Sequence, residues 1–145
     1  MSGRLFIAEE KWSQAIPELD RAIELAPDAA FHRANRGLAN EKLEHWEPAE
    51  ADFRAAFKLD PTAWEAAHLG IVLYRGLDRP EEAIQWLELA ARSSPDDAEI
   101  WFHLAQAQEL RRDAGAAHSY EQFLRVAAST EAVDRIEHAR RYLGR

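Results

Sequence analysis

The stretch LDPTAWEAAHLG, Leu59 to Gly70, interrupts a chain that otherwise reads as continuous helix. Proline has no amide hydrogen and disfavours helical geometry in the residue before it, so Asp60-Pro61 ends one helix. Thr62 is a natural N-cap for the next, its hydroxyl placed to accept an orphan amide of the first turn. The same stop and restart recurs as LAPDAA from Leu25 and SSPDDA from Ser93. Pro27, Pro61 and Pro95 stand 34 residues apart, each followed by a cap-type residue, Asp28, Thr62 and Asp96. A period of that length predicts a repeat architecture.

Other residues obey the period. Upstream of each proline runs an alanine, a large apolar residue four positions on and a small one three further. The copies are Ala15, Leu19, Ala22; Ala49, Phe53, Ala56; Ala83, Leu87, Ala90; and Ala116, Tyr120, Phe123, with Ala128 where a fourth proline would stand. Trp12 and Trp46 keep the same spacing, and Gly3, Gly37, Gly70 and Ala105 mark a small residue in the other half of each unit. Residues at i, i+4 and i+7 share one helix face, where small side chains let two helices approach closely. Each unit therefore reads as two antiparallel helices. The expected pairs are Gly3–Glu9 with Ser13–Ala26, Ala30–Leu43 with Glu47–Leu59, Trp64–Arg75 with Glu81–Ser93, and Ala98–Arg111 with Ala114–Ala127. Phe53 is expected in the core, and Trp12, Trp46 and Trp86 in inter-helix packing or on the outer face.

Composition agrees with an all-α fold. The 145 residues suffice for one domain with a real core, 47% are apolar, and glycine is scarce beside abundant Ala, Leu, Glu and Arg. A net charge of −8 and the lack of a basic stripe argue against nucleic acid as partner. There is no cysteine, which excludes disulfides and thiolate metal sites. No apolar run approaches the roughly 18 residues of a membrane span, and MSGRLFIAEEKW lacks the features of a signal peptide. The expected location is cytoplasmic.

In these residues the chain resembles the tetratricopeptide repeat family. Its consensus places W-x2-L-G-x2-Y in a first helix and A-x3-F, then proline, in a second. All four second-helix copies match, apart from the last proline; NRG at Asn35–Gly37, HLG at His68–Gly70 and WFHLA at Trp101–Ala105 match the first more loosely. One extra residue separates Gly70 from Ala83, which leaves the register of the third first helix open by one position. The resemblance implies a right-handed superhelical solenoid of antiparallel helix pairs. Its units would be residues 1–28 (truncated), 29–62, 63–96 and 97–128, closed by a capping helix over 130–145 that starts at Ser129 or Thr130. Leu5, Phe6 and Ile7 would lie beside an incompletely covered first unit, an end suited to pairing with a second copy.

No catalytic signature is present: there is no G-x-S-x-G, phosphate loop, H-E-x-x-H or G-x-G-x-x-G. An enzyme is not expected, nor a cofactor. His68 and His103, with Glu65 and Glu99 nearby, include no pair of histidines at i, i+4, so no metal is expected; His32, His45, His118 and His138 form no constellation. Glu81 and Glu82 read as a solvated helix N-terminus.

In the family, first helices line a concave groove. The resemblance carries that role to Phe31, Ala34, Asn35, Leu38, Glu41 and Lys42, then to Glu65, His68, Leu69, Val72 and Arg75. The last unit supplies Glu99, Phe102, His103, Gln106 and Glu109, and the first Arg4 and Ala8. Phe31 is read either as a wedge between units or as groove surface; Phe102 is expected exposed, because Trp101 takes the consensus packing position. The family's carboxylate clamp needs cations where this chain has Glu65 and Leu69, or Glu99 and His103, and only Asn35 matches it. The expectation is a non-catalytic module that binds a protein or peptide segment with apolar anchors and basic residues. The alternatives are a scaffold stacking end to end and a regulatory piece of a larger protein.

Overall fold

The computed structural model describes residues 2–127 and 132–145, with side chains from residue 9 onward. Among them lie eight helices: α1 (Ser2–Leu25), α2 (Ala30–Lys42), α3 (Trp46–Leu59), α4 (Ala63–Arg75), α5 (Pro80–Ser93), α6 (Ala98–Leu110), α7 (Gly115–Val126) and α8 (Val133–Tyr142). Each packs mainly on its neighbours in sequence, the organisation of an all-α solenoid. From α2 to α7 the observed ends fall close to the expected ones. The expected alanine at 128 and the cap start at Ser129 or Thr130 lie outside the described residues, as do the side chains of Arg4, Leu5, Phe6, Ile7 and Ala8.

The first expected pair is instead one continuous helix, Ser2–Leu25, with Pro17 inside it. Pro48 and Pro80 sit in the opening turns of α3 and α5, whereas Glu9–Gln14 contains neither proline nor glycine and is rich in helix formers. Nothing local stops the helix there.

Small residues seat the second helices. A Cβ at Gly37 would lie 2.9 Å from Phe53 Cε1, and one at Gly70 would lie 2.5 Å from Leu87 Cγ. The alanine–large–small pattern is fully buried in α3 (Ala49, Phe53, Ala56), α5 (Ala83, Leu87, Ala90) and α7 (Ala116, Tyr120, Phe123). In α1, which packs chiefly on α2, Ala15, Leu19 and Ala22 are only half-buried.

The turns inside the pairs resolve the register. Glu44, Asp78 and Arg112 adopt positive φ (59°, 53° and 53°), the left-handed conformation that reverses the chain after each first helix. The amide of His45 bonds to Asn40 O and that of Asp113 to Gln108 O, both five residues back; that of Arg79 bonds to Leu73 O, six back. The extra residue of the third unit therefore lies in the α4–α5 loop. As a result α4 starts 33 residues after α2, and α6 starts 35 after α4. Structurally equivalent residues follow from these steps, as in Gly37, Gly70 and Ala105. Ala39, Val72 and Ala107 are likewise equivalent and all fully buried.

The caps differ from expectation. Ala29, Thr62 and Asp97 hold the cap positions of α2, α4 and α6. Only Asp97 caps with its side chain, accepting the Glu99 amide at 3.0 Å; the Thr62 hydroxyl bonds to the Glu65 carboxylate instead.

Polar groups join the first three helices. Arg36, standing where Leu69 and Leu104 stand in the next units, forks onto the buried Asp52 at 2.7 and 2.9 Å and reaches Asp20 at 2.8 Å. The hydrogen bonds that Arg36 donates to Asp52, reinforced by Asp20, outweigh burial and raise the guanidinium pKa. On α5, Glu82 is held by Arg54 and Arg79 and Glu81 by Arg111, so these acids are paired rather than simply solvated. At the far end α8 begins 35 residues after α6, and Ile136, Ala139 and Leu143 pack on a cluster with Phe102, Tyr120 and Phe123. Arg140 stands where the other first helices have Gly37, Gly70 and Ala105, so α8 offers no small-residue seat for a second helix.

Candidate partner-binding groove

Equivalence between α2, α4 and α6 sorts the expected groove residues. Phe31, Asn35, Lys42, Arg75 and Glu99 are exposed; Leu38, Glu41, His68, Gln106 and Glu109 are half-buried. Glu65 and Val72 are buried, at 8% and 0%. Their assignment to the groove is corrected by the loop insertion: the positions equivalent to Phe31 and Leu38 are Trp64 and Ile71. Leu69 likewise gives way to His68, the equivalent of Asn35. Phe31 is 61% exposed and forms no wedge. Phe102 is buried, contrary to expectation, because α8 covers it, with the Arg135 guanidinium 4.7 Å from its ring centre. His103 is also buried, at 4%.

The histidines form a ladder that sequence reasoning did not anticipate. His68 Nδ1 donates to Glu41 Oε1 at 2.8 Å, and His103 Nδ1 lies 2.5 Å from the Tyr74 hydroxyl. His138 Nε2 donates to Glu109 Oε1 at 2.9 Å, where Tyr120 also donates at 2.6 Å. Glu41, Tyr74 and Glu109 are equivalent, as are His68, His103 and His138, so each rung ties one first helix to the next. The signal was present as three histidines spaced 35 residues apart, one off the dominant period.

Between α4 and α6 the ladder borders a cleft of about 190 Å³. Trp64, Ala67, His68 and Ile71 form one wall; Asp97, Glu99, Ile100 and His103 form the other. Trp64 is 40% exposed and packs against His68 at 4.1 Å between ring centres. Burial pushes the His103 imidazole below its ordinary value and keeps it neutral. The Tyr74 hydroxyl then donates to Nδ1, and Nε2–H faces Glu99 Oε1 at 3.5 Å. Its hydrogen bond with His103 lowers the Glu99 carboxyl to about 2, while burial raises Glu65 and the Tyr74 phenol. The cleft is thus an aromatic and aliphatic channel with an ionised rim. Among the described residues no group of three or more His, Asp or Glu is gathered as a metal-ligand set, and no helix is long and apolar enough to cross a membrane.

Residues 69–107 match the family model described as Tetratricopeptide repeat, which spans α4 to α6 and the small residues Gly70 and Ala105. Over that stretch the chain is similar to the tetratricopeptide repeat family. Among solved structures, the chain is similar to MamA, with a TM-score of 0.80 and 18% identity over 92% of this chain and 79% of that one. It is also similar to YrrB, described as a TPR protein with an unusual peptide-binding site, with a TM-score of 0.72 and 20% identity over 96% and 73% of the two chains. At these identities the likeness is one of fold. Sequence relatives include the Small glutamine-rich tetratricopeptide repeat-containing protein 2 of Saccharomyces cerevisiae, 30% identical over 86 residues, 59% of this chain. Another is the Protein O-mannosyl-transferase Tmtc2 of Drosophila melanogaster, 38% identical over 72 residues, 48% of this chain. The matches span 25% and 8% of those relatives' own lengths. As a class, this tetratricopeptide repeat fold is a protein-interaction scaffold.

Proposed function

We propose that the chain is a non-catalytic interaction module that binds an extended partner segment along the groove lined by α2, α4 and α6. The observation that carries this reading is the α4–α6 cleft, where Trp64 stays 40% exposed on a helix whose neighbouring side chains are mostly buried. An exposed tryptophan beside a preformed apolar channel is the kind of anchor on which binding energy concentrates. Phe31 continues the aromatic line on α2, and Asn35 and His68 offer polar atoms beside it. A C-terminal carboxylate is a poor fit: with the register corrected, the places that need cations hold Trp64 and His68. The groove suits an internal segment with an apolar anchor.

The test is selection of binding peptides from a random display library, followed by titration against Trp64→Ala. The expected result is at least a tenfold loss of affinity with helicity unchanged. Peptides that bind the variant as tightly as the wild type would refute the groove assignment.

A further inference from the structure

We propose that the cleft between α4 and α6 is a subsite for one cationic side chain, lysine or arginine, of the bound segment, held between the Trp64 ring and the Glu99 carboxylate. The proposal deepens the groove reading and rests on it. Phe31, Trp64 and Glu99 are equivalent residues of three successive first helices. Across α2 and α4 this position sets aromatic beside aromatic; across α4 and α6 it sets an aromatic beside a carboxylate. Only the second pairing combines a π face with a negative charge, the two groups that a guanidinium or ammonium engages together.

The residues around this pair fit the same occupant. Ala67, Ile71 and Ile100 line the cleft with apolar surface matched to the methylene stem of a long basic side chain. Two carboxylates and no Lys or Arg line it. Asp97 is engaged in capping α6 through the Glu99 amide. Glu99 remains, its side chain 62% exposed, with one oxygen toward neutral His103. Among the described residues neither Asp97 nor Glu99 forms an ion pair with Lys or Arg; Arg135, whose field reaches Glu99, sits over the Phe102 ring. The Tyr74–His103 hydrogen bond sets the imidazole so that Nε2–H faces Glu99 Oε1 at 3.5 Å, a polar neighbour for the carboxylate on the inner side of the cleft. An anionic or purely aliphatic side chain would leave Glu99 facing it without compensation.

The test uses the full chain and two small probes of one shape, N-acetyl-arginine N-methylamide and its uncharged citrulline counterpart, followed by NMR at the Trp64 indole and the His103 ring. The arginine probe is expected to give saturable shifts, at least about fivefold weaker for the citrulline probe and about tenfold weaker in Glu99→Gln. Glu99 is exposed, so that variant keeps the fold; Trp64→Leu supplies a second, independent loss. Equal titration by both probes, or an unchanged arginine titration in Glu99→Gln, overturns the subsite. Selected peptides that require Trp64, combined with an arginine probe that ignores the cleft, overturn the subsite and leave the groove reading standing. Selected peptides indifferent to Trp64→Ala overturn the groove reading instead.

Discussion

Truncating Phe53 to alanine removes the side chain on which both the core and the groove wall rest. Phe53 is fully buried, its ring edge fills the seat left by Gly37, and its centre lies 5.8 Å from Trp64 and 5.5 Å from His68. Neighbouring backbone cannot collapse into the gap, because Ala49 and Ala56 on the same face are already fully buried and small. A Phe→Ala change of this kind costs about 3–5 kcal/mol, the lost transfer energy plus the cavity left behind. That is a large share of the roughly 5–15 kcal/mol that holds a domain folded. With a urea dependence of about 2 kcal/mol per molar, the unfolding midpoint falls by about 1.5–2.5 M. The assay is urea titration followed by far-UV circular dichroism, with the Trp64 indole resonance reporting on the groove in native buffer. The indole shift should move even where the variant is folded, since the ring loses its edge contact. A stability loss below about 1.5 kcal/mol with an unmoved indole would refute the inference that α3 supports the groove through Phe53.

Gly70→Ala should be destabilising despite the helix propensity it gains, about 1 kcal/mol. The new Cβ would meet the Leu87 branch point at 2.5 Å, a clash costing about 1–3 kcal/mol, so a raised melting temperature would contradict the close approach of α4 and α5. Asp52→Ala removes the buried partner of Arg36, which keeps the exposed Asp20 at 2.8 Å, and should cost about 1–3 kcal/mol, while Arg36→Leu with Asp52→Leu, which extends the apolar pattern of Leu69 and Leu104, should recover most of that loss; denaturant titration separates the two outcomes. His103 should titrate below its ordinary 6.5 in ring NMR, because burial disfavours its charged form. Its contribution to stability is then complete above that value and lost as pH falls beneath it, where the unfolded chain takes the proton first. Glu99, lowered to about 2 from 4.5, acts in the same direction: its contribution is present above 4.5 and lost toward about 2. A His103 that titrates above 6.5 would contradict the buried neutral assignment.

Helix ends and core were legible because the residues that specify them act locally. Pro27, Pro61 and Pro95 stop helices by their own covalent structure, and Ala49, Phe53 and Ala56 name a face by spacing alone. The groove was less legible, for a reason that lies in one loop. An extra residue between Gly70 and Ala83 is visible in the sequence, but whether helix or turn absorbs it depends on the hydrogen bond from Arg79 to Leu73. That single choice exchanged Glu65 and Val72 for Trp64 and Ile71. The burial of Phe102 is not legible in its own unit, because its cover, Arg135 and the α8 face, comes from beyond that unit. The continuity of α1 departs from the period because Glu9–Gln14 holds no proline or glycine to end a helix where the other units turn.

The groove assignment is tested most directly by hydrogen–deuterium exchange of the chain with and without a selected peptide. Slowed exchange is expected to concentrate in the first turns of α2, α4 and α6, around Phe31, Trp64 and Glu99, with α3, α5 and α7 unchanged. Protection confined to α3, α5 and α7, or to α8, would contradict the assignment.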